Sequence, residues 1–152
     1  MKKEIEEIVI DLCSPEGEFP TTIINQNGYN FLSFNWGPKN LFEYFKLYED
    51  HQNKDMIVYN DERWTYHEAY QLSSAFAQSL INDFSVKKGD RVAIASRNYP
   101  EWIFSFIAIT SIGAVAVPMN SWWTSKELEY GIKDSDSKII IADQERFDSI
   151  KN

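Results

Sequence analysis

The residue types that most often carry catalysis are present in this 152-residue chain, but none stands at a spacing that defines an active site. A dinucleotide-binding or Walker-type phosphate loop needs glycines close together, so that backbone N–H groups can approach a phosphate. A Gly-x-Ser-x-Gly elbow, which would expose a nucleophilic serine, is also absent. We therefore predict no catalytic residue in this chain. Its glycines are scattered, at positions 17, 28, 37, 89, 113 and 131.

Carboxylate and imidazole side chains give no metal-ligand pattern, so we predict no metal site. Asp134 and Asp136 lie close together, but their place before an apolar run favours a turn at the end of a helix. Asp61-Glu62 is interpreted as a solvated hairpin turn. His51 and His67 have no partner at metal-ligand spacing and are interpreted as ordinary surface or helix histidines.

The adjacent pair Trp122-Trp123 is the feature that composition alone does not explain. Two neighbouring indoles after a strand cannot both point into the same core. In one interpretation, one indole packs under the following helix and the other meets sequence that is missing here. In the other, one indole lines a ligand channel at the carboxyl end of a sheet, where open α/β folds bind ligands.

Net charge and cysteine content narrow the class of partner and location. The net charge of −8 repels phosphate backbones and anionic lipid headgroups, so nucleic acid is not an expected partner. Cys13 is the single cysteine and cannot form an internal disulfide, which suits a reduced, cytoplasmic location. The most apolar stretch, 102–118, is too short for a bilayer, which needs ~20 apolar residues. We predict no transmembrane segment.

The first part of the chain, 1–37, is poorly periodic and rich in proline and glycine, which predicts an extended leader with one or two short strands. Helix-start signals follow at intervals. They are Asn/Thr-x-x-Glu capping boxes beginning at Asn40, Thr65 and Thr124. Two strands around the turn at 60–62 are predicted between the first two boxes. We therefore divide the chain into the leader and an incomplete α/β subdomain at 38–152.

From Arg91 onward, short apolar strands alternate with helices. The strands are predicted at 91–95, 115–118 and 138–142, with Asp143 capping a final helix. Continuous apolar strands separated by helices indicate a parallel sheet covered on both faces. The expected fold class is α/β, with a sheet of three or more parallel strands and 91–95 in the middle.

Several of these segments together resemble the class I adenylate-forming enzymes, and most closely the bacterial AMP-dependent acyl-CoA synthetases (fatty-acid–CoA ligases). The resemblance covers roughly 38–150, and its strings occur in the family's order. They are Glu-Arg-Trp-Thr-Tyr at 62–66, Lys-Gly-Asp-Arg-Val-Ala-Ile at 88–94, Asn-Tyr-Pro-Glu-Trp-Ile at 98–103, Gly-Ala-Val-Ala-Val-Pro-Met-Asn at 113–120, Glu-Leu-Glu-Tyr at 127–130, Asp-Ser at 134–135 and Ile-Ala-Asp at 141–143.

The resemblance implies an ATP-dependent acid–thiol ligase that forms an acyl-adenylate and then acyl-CoA from a carboxylic acid. ATP, Mg²⁺ and coenzyme A are the implied cofactors and partners of the parent enzyme, with none expected in this chain. The family's glycine-rich phosphate loop, adenine-binding motif, ribose-binding aspartate and catalytic lysine have no counterpart here. The resemblance therefore implies an inactive N-terminal fragment, belonging to the large N-terminal domain.

Only a few positions are implied to lie near a ligand. The loop 120–124, with Trp122 and Trp123, aligns with a loop that approaches the pantetheine arm of coenzyme A in related synthetases. Arg146 lies near a position that contacts the nucleotide end of coenzyme A; the alternative is a solvated helix arginine. Three alternatives for function stay open: a non-catalytic remnant, a binding module on the same framework, or an enzyme that loads a carrier protein. Exposed apolar surface is expected to cause self-association.

Overall fold

The computed structural model describes residues 4–151, with the side chain of residue 49 set aside, as two compact units divided after Lys39. The first unit contains helix α1 (Ile5–Cys13) and a hairpin of strands β1 (Thr21–Gln26) and β2 (Tyr29–Phe34). The hairpin turns at Asn27-Gly28, where both residues have positive φ (52° and 84°), as a two-residue turn between twisted strands requires. The two short strands expected in the leader are confirmed.

Helix α1 was not predicted. Ile5, Ile8 and Val9 do fall at helical spacing, but the residue before the helix is Glu4 instead of the usual serine, threonine or asparagine. The backbone N–H of Glu4 donates to Glu7 Oε2 at 3.3 Å, which closes the first turn. No residue in the described part of this unit, 4–39, is buried. The unit therefore has secondary structure without a core of its own.

The second unit begins with the predicted capping residue Asn40, whose side chain accepts from the Glu43 N–H at 2.9 Å. Helix α2 (Leu41–Lys46) continues into a 3₁₀ turn (Leu47–Asp50). Strands β3 (Asp55–Tyr59) and β4 (Glu62–Thr65) pair antiparallel around the predicted turn. Asp61 and Glu62 are exposed there, as expected. Helix α3 (Tyr66–Asn82) follows directly behind Thr65.

The parallel sheet has the predicted order. Strand β5 (Arg91–Ala95) lies between β6 (Val115–Pro118) and β7 (Ile139–Ala142), and both pairs are parallel. Arg91 pairs with Val115 on one side, and Val92 pairs with Ile139 on the other. The intervening helices are α4 (Pro100–Ser111), α5 (Ser125–Ser135) and α6 (Gln144–Lys151). The fold class is therefore α/β, with a three-stranded parallel sheet and helices.

The alternation of side chains along β5 builds a core on each face of the sheet. Val92 and Ile94 face a cluster that includes Leu80 of α3 and Ile109 of α4. Ala93 and Ala95 face the opposite cluster, with Leu128 of α5. All of these side chains are almost completely buried. Because successive residues of a strand point to opposite faces, a central strand covered on both sides must be apolar throughout.

Candidate functional site

The carboxyl ends of the three parallel strands meet at one edge of the sheet. Beyond β5 the backbone carbonyl of Ile94 accepts from Met119 N at 2.9 Å, and the carbonyl of Ala95 accepts from Asp143 N at 3.3 Å. These hydrogen bonds extend the pairing with β5 one residue beyond the ends of β6 and β7. The residues after each strand are thus brought together, and we call residues 96–97, 119–124 and 143–146 the carboxyl-edge cluster.

Asp143 lies at the centre of the carboxyl-edge cluster. Its Oδ1 accepts from the backbone N–H of Arg146 at 3.0 Å, which caps α6 as the sequence predicts. Its Oδ2 accepts from the backbone N–H of Arg97, at the end of β5, at 2.9 Å. Burial by itself would raise the pKa of this carboxyl. The backbone N–H groups of Arg146 and Arg97 and the Arg146 guanidinium together outweigh that effect and hold the pKa below its usual value.

Arg146 is buried, with 5% of its surface accessible, so the interpretation as a solvated helix arginine is wrong. Its Nη1 donates to both Asp143 oxygens at 3.2 Å and to Glu145 Oε2 at 2.9 Å. Its Nε donates to the backbone carbonyl of Ser121, in the loop after β6, at 2.8 Å. Burial would lower the pKa of Arg146, but Asp143 and Glu145 raise it overall, so the guanidinium stays charged. A charged group with so little accessible surface must be paired, and here the pairing is within the chain.

The two tryptophans occupy different environments. Trp123 is partly buried and packs against the cluster under α5 that contains Leu128. Its ring lies so close to α5 that a Cβ at Gly131 would be 2.7 Å from Cζ3. Trp122 is 75% exposed. One indole therefore packs under the helix, as one of the two interpretations required, while the other is left at the surface.

The exposed indole is in contact with Arg97. The guanidinium carbon of this arginine lies 4.2 Å from the centre of the Trp122 ring, a cation–π distance. Its Nη2 is 3.5 Å from Glu145 Oε2, and its Nε is buried with no hydrogen-bond partner among the described residues. Arg97 was not predicted as a site residue. Its signal was a cation placed two residues after the carboxyl end of a buried strand.

An open groove of about 330 Å³ includes Asp143 in its lining. Ser96, at the end of β5, and Ser105, on α4, are its buried hydroxyl-bearing residues. Its apolar walls include Tyr59, Pro100 and Trp102. Its volume falls in the range of small-molecule sites, and its lining also carries the carboxylates of Glu62, Glu101 and Asp143.

The described residues form no cradle for a metal ion or a polyphosphate. Across 4–151, no three or more His, Cys, Asp or Glu side chains are grouped to hold a metal. His51 and His67 are both exposed. The positive-φ glycines occur singly, at 28, 37, 89 and 113, and not in a phosphate-binding loop. No helix within the same range is long and apolar enough to cross a bilayer.

A family model described as AMP-binding enzyme matches residues 46–152, which is most of the chain. The chain belongs to this family. The predicted resemblance to adenylate-forming enzymes is thereby confirmed, and the α/β sheet just described is the family's framework.

Individual relatives support the same assignment. 4-Hydroxybutyrate–CoA ligase 2 of Metallosphaera sedula is 33% identical over 108 residues, covering 71% of this chain and 18% of its own. A mutant form of coronafacic acid ligase from Pectobacterium brasiliense superposes with a TM-score of 0.70 at 30% identity, covering 74% of this chain and 22% of its own. The fused adenylation–PCP protein NpsA-ThdA from Klebsiella oxytoca gives 0.67 at 26% identity, covering 72% and 21%. The chain thus spans about a fifth of the length of these relatives.

Proposed function

We propose that this chain is part of the large domain of an ATP-dependent acid–thiol ligase, which forms an acyl-adenylate and then acyl-CoA. The family match over 46–152 is the observation that carries the proposal. The relative from Metallosphaera sedula is a CoA ligase, which favours coenzyme A as the acceptor. A carboxylic acid is the proposed substrate, and fatty acids are the first acids to test.

The contribution of this chain to such an enzyme is structural. The described residues offer no phosphate loop and no group of three or more metal ligands, so they do not fit ATP or Mg²⁺, and no chemical step is assigned to them. They supply a parallel sheet and, at its carboxyl edge, a loop whose backbone carbonyl at Ser121 accepts a hydrogen bond from the buried Arg146 side chain. Ligands of open α/β sheets bind at this edge.

Trp122, Trp123 and Arg146 are proposed to serve coenzyme A in unequal ways. Trp122 is the residue proposed to contact the ligand, because its indole is exposed and supported from below by Arg97. Trp123 and Arg146 are buried to a large extent and are engaged within the chain. Their proposed role is to hold the loop that carries Trp122.

Loading of a carrier protein is the second candidate function. The similarity to the fused adenylation–PCP protein from Klebsiella oxytoca favours it. The two candidates share the adenylate-forming half-reaction and differ only in the acceptor thiol. An assay with free coenzyme A and with a phosphopantetheinylated carrier protein, each supplied after adenylate formation, separates them.

Acid-dependent exchange of pyrophosphate into ATP by the full-length gene product tests the proposal. Exchange with at least one acid in a panel of short, medium and long carboxylic acids is expected. Absence of exchange with every acid would contradict the ligase function and favour a non-catalytic remnant or binding module.

The 152-residue chain by itself is expected to behave as an inactive framework. Its thermal midpoint should not change with millimolar Mg-ATP, AMP or a fatty acid, and it should catalyse no exchange. A ligand at a hundredfold excess over its dissociation constant would add about 2.7 kcal/mol of stability, which is easily measured. A clear shift with Mg-ATP would reveal a nucleotide site among these residues and would contradict this assignment.

A further inference from the structure

The loop after β6 is tied to the rest of the sheet edge by one chain of bonds. Asp143 Oδ2 accepts a hydrogen bond from the backbone N–H of Arg97, just beyond the end of β5. Asp143 is also the first residue after β7. Arg146 then joins Asp143 to the Ser121 carbonyl in the loop after β6. Two side chains therefore connect the carboxyl ends of all three strands.

Little of this pair is accessible to solvent. The side chains of Arg146 and Asp143 are 6% and 13% exposed, so water competes little for their hydrogen bonds. Within the loop, Asn120 Oδ1 accepts from Trp122 N at 3.0 Å, and the Asn120 carbonyl accepts from Trp123 N at 3.1 Å. The bond from Arg146 to Ser121 falls between these residues, where it fixes the backbone that carries both indoles.

We propose that Asp143 and Arg146 are positioning residues, which hold the loop 119–124 so that Trp122 is presented to the acyl acceptor. The inference rests on the proposed function and deepens it. Neither residue of the pair contacts the ligand. Arg97 donates its backbone N–H to Asp143 and contacts the Trp122 indole with its side chain. We therefore infer that the Arg97–Trp122 stack follows from the held loop and does not itself hold the loop.

Arg146→Lys is the variant that separates positioning from charge. Lysine keeps the positive charge but cannot donate both to the Ser121 carbonyl and to Asp143 in the geometry of a guanidinium. Arg91→Lys is the matched control. Arg91 also joins a backbone carbonyl to an aspartate, with Nε 2.6 Å from the Ser135 carbonyl and Nη2 in a salt bridge with Asp136, but it does so at the opposite edge of the sheet.

Amide hydrogen exchange in the 152-residue chain gives a readout that needs no activity. In Arg146→Lys the amides of Trp122 and Trp123 should exchange about tenfold faster or more, while those of β5 stay within about twofold of wild type, because only the loop opens locally. Arg91→Lys should leave the loop amides unchanged. Unchanged loop exchange in Arg146→Lys would overturn the proposal.

A second variant covers the case in which Arg146→Lys does not fold. Arg97→Gln removes the cation under Trp122 but keeps the backbone N–H that binds Asp143. The Trp122 indole should become mobile, and the backbone amides of Trp122 and Trp123 should keep their protection. Loss of that protection in Arg97→Gln would show that the stack holds the loop, and would overturn the proposal.

The effect of the pair on the acyl acceptor is measured in the full-length gene product. Arg146→Lys should lower thioester formation relative to adenylate formation by about tenfold, with a raised KM for the acceptor, since misplacement of a binding loop costs up to about a hundredfold. Equal loss of both half-reactions would overturn the acceptor role. If wild type shows no adenylate formation, the proposed function fails and the acceptor role falls with it, whereas the exchange experiment still decides what holds the loop.

Discussion

At the scale of single residues, the environment of a side chain separates neighbours that the sequence cannot separate. Trp122 and Trp123 are adjacent and identical, yet one lies on a guanidinium at the surface and the other packs beneath α5. Residue type and spacing predict that the pair is divided between two environments. They do not say which indole faces the helix, because that depends on the turn that the loop makes after β6.

Gly131→Ala tests the contact between Trp123 and α5. Alanine normally stabilises a helix relative to glycine by about 1 kcal/mol. Here the added methyl would lie 2.7 Å from Trp123 Cζ3 and 3.1 Å from Met119 Sδ, so we expect a net loss of about 1–3 kcal/mol in the free energy of unfolding. Urea denaturation measures it.

The same substitution in a Trp123→Phe background provides the control. Phenylalanine lacks the part of the indole that meets Gly131, so the cost of Gly131→Ala should largely disappear, giving a non-additive double-mutant cycle. Equal costs in both backgrounds would contradict a direct contact.

Asp143→Asn tests the electrostatics of the carboxyl-edge cluster. The pKa of Asp143 is held below its usual value in the folded state, so its contribution to stability is present above the unfolded pKa of about 3.9 and is lost as pH falls through the folded pKa. Because Glu145 still pairs with Arg146, losing the Asp143 charge should cost about 1.5–3 kcal/mol at pH 7. Denaturant titrations between pH 7 and pH 3 should show this cost shrinking below about pH 4. Asp61→Asn, in an exposed turn, is the control and should change stability by less than about 0.5 kcal/mol.

At the scale of helices and strands, the local sequence is enough to predict where helices begin. Thr65 and Thr124 each accept from the backbone N–H three residues on, while Glu68 and Glu127 bond back to them. These hydrogen bonds from the backbone N–H groups and hydroxyls of the two threonines lower the pKa of both glutamates. A signal of this kind needs no tertiary information, which explains why the beginnings of α3 and α5 were predictable.

Thr124→Ala is expected to destabilise the second unit by about 1 kcal/mol, since it removes a helix cap. Ser125→Ala, at the next position and outside the cap, is the control and should have little effect. The measurement is the urea midpoint of each variant. If the two variants change it equally, the cap does not contribute as described.

The features that could not be predicted depend on long-range contacts. The buried state of Arg146 results from Ser121, 25 residues earlier in the chain, and from Asp143 as a shared acceptor. Sequence position places Arg146 on a short polar helix, which normally indicates a solvated side chain. The role of Arg97 was missed for the same reason, because its partners Trp122 and Glu145 are brought to it only by the parallel pairing of β5 with β6 and β7.

At the scale of the whole molecule, the two units differ in what stabilises them. The second unit has apolar clusters on both faces of its sheet, whereas the described part of the first, 4–39, contains no buried residue. An isolated hairpin is marginal in water. A chain of residues 40–152 is therefore expected to unfold cooperatively, and a peptide of residues 1–39 to lack stable structure. Circular dichroism and denaturant titration of the two pieces test this, and a stably folded peptide would contradict it.

Self-association is the second expectation at this scale. The hairpin exposes apolar side chains on both faces, including Ile23 and Leu32, which pair across the strands and are 69% and 72% exposed. Exposed apolar area of this kind favours association. Light scattering at increasing concentration should show species larger than a monomer. Ile23→Thr with Leu32→Thr should reduce them, and a strictly monomeric wild type would contradict the expectation.

The central place of β5 has a consequence for how the protein is made. Strand β5 leaves the ribosome before β6, and β6 before β7, so the middle of the sheet exists before either neighbour. Val115 follows its partner Arg91 by 24 residues, a few seconds of synthesis at roughly 5–20 residues per second. Assembly can therefore proceed outward from the centre, first on one side and then on the other. No strand has to be inserted between two that are already in place.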